Sequence, residues 1–264
     1  MDDQEKIPFS AHLEELRKRL IICFIAIGIG FVLSYGFKEK LFEILTYPLI
    51  KAMKSGDKLI FTGLPEAFFT YLKVAFISGI IFSTPVIFYQ FWKFVAPGLY
   101  DKEKRLLLPI VALSTFFFIG GAFFGYFIVF PFGFKFFLGF ASDTIRPLPS
   151  MREYLSFATK MLLAFGLVFE LPLIITFFAR MGIVTVDLLK KKRKYAILII
   201  FTVSAIFTPP DVATQIMMAV PLMVLYEISI IGAKIFGKKK SSEDEKNASY
   251  DDGKGKKETT DEHE

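Results

Sequence analysis

Three carboxylates stand where residue type and place suggest chemistry. Glu170 lies in the apolar run LLAFGLVFELPLII, about ten residues before Arg180 and so about 15 Å along a helix. An ionised group at that depth in a bilayer costs about 2.5–3.5 kcal/mol on insertion scales. Pro172 follows two residues on and removes the donor that the Val168 carbonyl would use, so two polar defects coincide. Either a neutral Glu170 hydrogen-bonds to a neighbouring helix, or the position is a functional polar site. Glu103 lies in FWKFVAPGLYDKEKR (91–105), where Pro97-Gly98 breaks the chain and Asp101 can N-cap a following helix. It is either part of a capped interfacial turn or a carboxylate presented to a cationic partner. Glu15, in SAHLEELRKRL (10–20), pairs with Arg19 at i,i+4, as Glu14 does with Lys18.

The other ionisable groups have plainer readings. Lys73 and Lys160 lie a few residues inside apolar runs and can snorkel outwards. Glu227 is expected at an interface, and Asp211 and Gln215 at a turn after Pro209-Pro210. No GxSxG, HExxH or Walker loop is present, and His12, His263 and the single Cys23 form no cluster. The expectation is therefore a protein that is not an enzyme and takes no cofactor or metal. The +6 formal charge falls in short segments between apolar runs, which argues against nucleic acid as a partner.

The elements that must position these groups are membrane helices. The chain has 264 residues, 53% of them hydrophobic and 33 of them Phe, with mean hydropathy +0.50. Several runs reach the ~20 apolar residues that span a bilayer. The spacing predicts an all-α polytopic membrane protein with an amphipathic N-terminal helix at Ser10–Leu20, lying in the interface and running into the membrane. Six spans follow, at about Leu20–Phe37, Phe68–Phe91, Leu106–Phe130, Tyr154–Ala179, Tyr195–Thr208 and Ala213–Ala233. The fifth and sixth are read as short, the fifth covering only about 21 Å of a core of about 30 Å. That pair could instead be a re-entrant hairpin, but charge flanks both its ends on one side. Pro85 lies inside the second span, and Pro48 in the polar stretch Lys38–Glu66, whose Leu41, Leu45 and Leu49 allow a helix packed on the membrane face. A second polar stretch, Pro131–Glu153, is read as a loop. Gly121-x-x-x-Gly125 permits close helix contact or a dimer face. In domain terms, 1–19 is a cytoplasmic amphipathic N-terminus, 20–233 a six-helix membrane domain and 234–264 a disordered cytoplasmic tail. No cleavable signal is expected, since polar residues precede the first run and no A-x-A site follows it.

Orientation follows from lysine and arginine. The segments 1–19, 92–105, 180–194 and 234–264 hold 22 of them, against 8 in 37–66, 131–154 and 208–214. By the positive-inside rule both termini and residues 91–105 face the cytoplasm.

Taken together, HLEELRKRL (12–20), YPLIK (47–51), TPVIFYQFWKFVAPGLYDKEKR (84–105), YFIVFP (126–131), AFGLVFELP (164–172), KKRKY (191–195), TPPDVATQ (208–215) and AVPLMVLYEI (219–228) resemble the TatC family, the core subunit of the twin-arginine protein translocase. The resemblance covers the chain except its tail. It implies a six-span protein of the cytoplasmic (inner) membrane that binds twin-arginine signal peptides of folded precursors, with export driven by the proton-motive force. It also implies a signal-peptide site at Glu15, Arg17, Phe94 and Glu103, and a Glu170 that faces a membrane groove and contacts partners. The implied partners are TatA/TatB-type single-span subunits, further copies of the chain in a receptor complex, and membrane lipid. Pro48, Pro85, Asp211 and Gln215 take structural or secondary roles. The chemistry fits, because a guanidinium fork prefers a carboxylate and two arginines call for two carboxylates. The rival is a proton-coupled small-solute transporter using Glu170, for which no internal repeat is found.

Overall fold

A computed structural model describes residues 9–54, 57–95, 107–142, 144, 147–208 and 211–237. Helix α1 runs without a break from Phe9 to Gly36. The amphipathic stretch and the first span are thus one rod, not an in-plane helix joined to a span. No Gly or Pro stands between Ser10 and Gly28 to break it, and both expected pairs, Glu14–Lys18 at 2.9 Å and Glu15–Arg19, form on its surface. α1 packs along α3 (Glu66–Val95) where Gly30 meets Gly79; a Cβ on Gly79 would stand 2.6 Å from the Phe31 nitrogen. On its other face Phe24 and Val32 are 69% and 68% exposed, as suits side chains solvated by lipid.

At Pro48 and Pro85, inside helices, side chains replace the lost donor. In α2 (Lys38–Ala52) the buried Pro48 cannot donate to the Ile44 carbonyl, and the Tyr126 hydroxyl donates to it instead. One residue on, the Tyr154 hydroxyl donates to Leu45 O, so two phenols from other helices fix α2. In α3, Pro85 frees the Ile81 carbonyl, which accepts from Thr84 Oγ1 at 2.7 Å. The third span is α4 (Leu107–Phe124), a π-helical turn at Gly125–Val129 and α5 (Phe130–Leu138). The expected loop from Pro131 is therefore helical as far as Leu138. The wider turn just before Pro131 accommodates a residue that lacks the N–H and crowds the preceding turn.

The fourth span is divided as its proline predicts, into α6 (Met151–Phe169) and α7 (Leu171–Arg180), with Glu170 at the joint. α6 is the most enclosed span. Its Ala158, Met161, Leu162 and Phe165 are buried against Phe130, Met218 and Leu222. Gly121 lies so close to α6 that a Cβ would meet Phe165 O at 2.4 Å. The GxxxG spacing thus packs α4 onto α6 within the chain.

After α8 (Val186–Lys191), α9 (Arg193–Phe207) is short, about 22 Å at 1.5 Å per residue. α10 (Val212–Phe236) has 25 residues, so the sixth span is of full length, a correction to its reading as short. The expected end at Ala233 missed its last turn. Five helical stretches among the described residues, including α3 and α10, are long and apolar enough to cross a membrane; α9 is the sixth apolar helix. The chain is a multi-pass membrane protein.

Beyond α2, residues around 57–65 and 147–150 meet in a single parallel bridge between Ile60 and Ser150. Glu66 organises this end. Its Oε2 accepts from the Thr62 N–H (2.8 Å) and Gly63 N–H (3.2 Å), and its Oε1 from Ser150 Oγ (2.9 Å) and the Arg152 N–H (3.0 Å). A nearly buried carboxylate so surrounded closes the first turn of α3 and ties it to α6.

Candidate functional site

Two polar arrangements lie on opposite faces of the same end of α3. The first joins α3 to the N-terminal part of α1. The His12 imidazole stacks on Phe94 with ring centroids 4.4 Å apart and planes 20° from parallel. One turn along, Glu15 Oε1 holds the Arg19 guanidinium, whose Nη1 also donates to Gln90 O at 3.3 Å. Helical spacing makes this possible: Gln90 and Phe94 are four apart on α3, while His12, Glu15 and Arg19 succeed one another at three and four on α1. The Arg19 side chain is 11% exposed and that of Glu15 is 34%. Arg19 takes only Oε1, so among the described residues Glu15 Oε2 is left for a second donor, beside an aromatic pair on which a guanidinium can stack. Arg17 is exposed one residue from Leu16, on the outward side of α1. Glu103 and Asp101 lie outside the described residues.

The second arrangement is buried. The Trp92 indole N–H donates to Ser114 Oγ at 2.7 Å, and the Glu170 carboxyl lies within reach of the Ser114 hydroxyl and of the Phe118 backbone. All three side chains are enclosed, Ser114 completely and Glu170 to within 2%. Phe177 and Val111 seal the indole. Glu170 Oε1 is buried without a partner among the described residues. Three helices therefore share one polar line inside the membrane: Trp92 from α3, Ser114 from α4 and Glu170 from the joint of α6 and α7.

Within the chain Glu170 is enclosed at this joint, 2% exposed. The groups within its reach are the Ser114 hydroxyl and the Phe118 backbone, both of α4, as in the plainer reading of a carboxyl facing a neighbouring helix. The orphaned Oε1 is the feature that reading leaves over.

The remaining predicted residues sit in structural contacts. Asp211 caps α10, accepting from the Thr214 N–H at 2.8 Å and from the Thr214 hydroxyl. Gln215 Nε2 donates to Phe201 O at 3.1 Å and so ties α10 to α9. Glu227 pairs with Arg193 at 2.7 Å across the start of α9. Sequence reading missed His12, Arg19, Gln90, Trp92 and Ser114 as site residues. The signals were the only Trp in the chain and the Ser-Thr pair in an otherwise apolar span.

Fold and site define a polytopic helical membrane protein whose polar groups gather at one end and at one buried joint. Residues 11–221 match the family described as Sec-independent protein translocase protein (TatC). A relative of that name from Desulforapulum autotrophicum is 67% identical over 259 residues, 98% of this chain and 96% of its own length. The relative from Escherichia coli K12 is 37% identical, covering 92% of this chain and 95% of its own. A crystal structure of the twin-arginine translocase receptor TatC superposes with a TM-score of 0.78 at 42% identity, over 85% of this chain and 99% of that one. The chain belongs to the TatC family of Sec-independent protein translocase proteins.

Proposed function

We propose that this translocase subunit is the signal-peptide receptor of a twin-arginine system and that both its termini face the cytoplasm. The supporting observation is the half-exposed Glu15 carboxylate, which already holds one guanidinium through a single oxygen beside the stacked His12–Phe94 pair. A site that accommodates Arg19 has the chemistry to take an arginine of a peptide at the remaining oxygen. Glu103, 88 residues along the chain, supplies the second carboxylate, and the exposed Arg17 and Phe94 border the surface. Single-span TatA/TatB-type subunits and further copies of the chain complete the assembly. Translocation draws on the proton-motive force, and Glu170 serves a later step at membrane depth.

The test is a titration of the purified full-length chain with a fluorescent peptide carrying adjacent arginines, and with its dilysine counterpart. The proposal expects tighter binding of the arginine peptide by about 1.5–3 kcal/mol, the worth of a charge-assisted hydrogen bond that lysine's point charge does not reproduce. Equal affinity for the two peptides would refute it.

A further inference from the structure

Lys73 of α3 and Lys160 of α6 come from different spans and line the same groove, about 490 Å³ in volume, at the end of the bundle away from the termini. Its walls are Phe31 of α1, Phe69 and Phe76 of α3, and Leu155 of α6. No acidic side chain lines it. Among the described residues neither lysine makes an ion pair, and both are exposed. Glu66 lines the adjoining cavity with Lys73 and Arg152, but its oxygens already accept N–H and O–H donors.

Depth gives these charges their meaning. Lys73 lies about 10 Å along α3 from Glu66, and Lys160 about 14 Å along α6 from Met151. In spans about 45 Å long centred on a core of about 30 Å, both Cα atoms lie a few ångströms inside the hydrocarbon boundary. Each ammonium then rises to the level of the lipid phosphates while its stem stays among aromatic rings. A lone lysine at this depth needs only to snorkel. Two that share one groove repel each other across a weakly screened rim, and an anion between them removes that repulsion. Walls this apolar suit a hydrocarbon chain and not a hydrated ion.

We propose that the groove between α1, α3 and α6 binds one anionic phospholipid of the adjoining leaflet, with its phosphate between Lys73 and Lys160 and an acyl chain along Phe31, Phe69 and Phe76. The site lies at the other end of the bundle from Glu15 and Phe94 and does not depend on the peptide-binding reading.

Native mass spectrometry of the full-length chain, released from detergent micelles doped with phosphatidylglycerol or phosphatidylcholine, tests it. The parent should retain phosphatidylglycerol preferentially. Lys73→Gln with Lys160→Gln should lower that retention about tenfold or more, as expected for two lysines near an anionic headgroup. Lys73→Arg with Lys160→Arg should keep it, and Lys58→Gln, a basic position outside the groove, should not change it. Millimolar inorganic phosphate should not displace the lipid. Equal retention of the two lipids by the parent would overturn the proposal, as would unchanged retention in the double glutamine variant or displacement by free phosphate. A glutamine variant that unfolds leaves the parent's lipid preference and the arginine pair to decide.

Discussion

Ser114 stands between two buried groups: it accepts from the Trp92 indole and lies within reach of the Glu170 carboxyl. Ser114→Ala strips both of a partner in a medium that offers no water, at about 1–3 kcal/mol for each group left unsatisfied. Because Trp92 is the only tryptophan in the chain, its emission reports the change directly. The variant should melt earlier in detergent and emit at a shorter wavelength, having lost its hydrogen-bond acceptor. Unaltered emission would mean that the Trp92–Ser114 bond does not exist in the folded protein. Glu170 was readable from sequence because depth and charge are properties of a single stretch of chain. Its partners were not, since Ser114 and Trp92 reach it only once three helices pack. Glu15 and Arg19 show the same division: their i,i+4 pairing follows from α1 alone, whereas the contacts with Gln90 and Phe94 need α3.

At the scale of elements, apolar runs placed the spans well and proline placed their ends badly. Pro131 suggested a loop, yet the helix continues to Leu138 through the π turn at Gly125–Val129. Around Pro48 the helix that Leu41, Leu45 and Leu49 allow does form, and the Tyr126 and Tyr154 phenols serve carbonyls in its second half. A helix that depends on a phenol from another span can be tested there. Tyr126→Phe should cost about 1–2 kcal/mol by leaving the Ile44 carbonyl unbonded, measured as a lower midpoint of thermal unfolding in detergent. Gly121→Ala is the stronger perturbation. Its added Cβ would stand 2.4 Å from the Phe165 carbonyl oxygen, so α4 and α6 must separate, at about 1–3 kcal/mol or more. If Gly121→Ala melted like the parent, the close α4–α6 contact would be wrong and GxxxG would be free for a dimer face.

At the scale of the whole molecule, the topology proposed from six apolar helices and the basic bias of one side makes α9 the shortest crossing. A 15-residue helix beside full-length neighbours thins the bilayer locally or tilts them. In a Cys23→Ser background, Lys58→Cys and Asp211→Cys should both react with an impermeant thiol reagent added outside cells. Labelling of Asp211→Cys from the inside alone would turn α9 and α10 into a hairpin that does not cross. The multi-pass class and the family were readable from residue order alone, because lipid and positive charge act on each segment separately. The order of events was not, since it depends on which side chains meet. Arginine recognition is proposed for the α1–α3 end with Glu103, and a later step in the membrane for Glu170. The most direct test measures crosslinking of a twin-arginine peptide and export of a folded precursor side by side, in Glu15→Gln, Glu103→Gln, Glu170→Gln and Glu170→Ala. The first two should lose peptide crosslinking by about 1.5–3 kcal/mol of binding, with export falling in step. Glu170→Gln, which still accepts from Ser114, should retain much of the export. Glu170→Ala should lose export while peptide crosslinking stays near the parent's level. Loss of crosslinking in Glu170→Ala as severe as in Glu103→Gln would contradict the separation of surface recognition from the step at membrane depth.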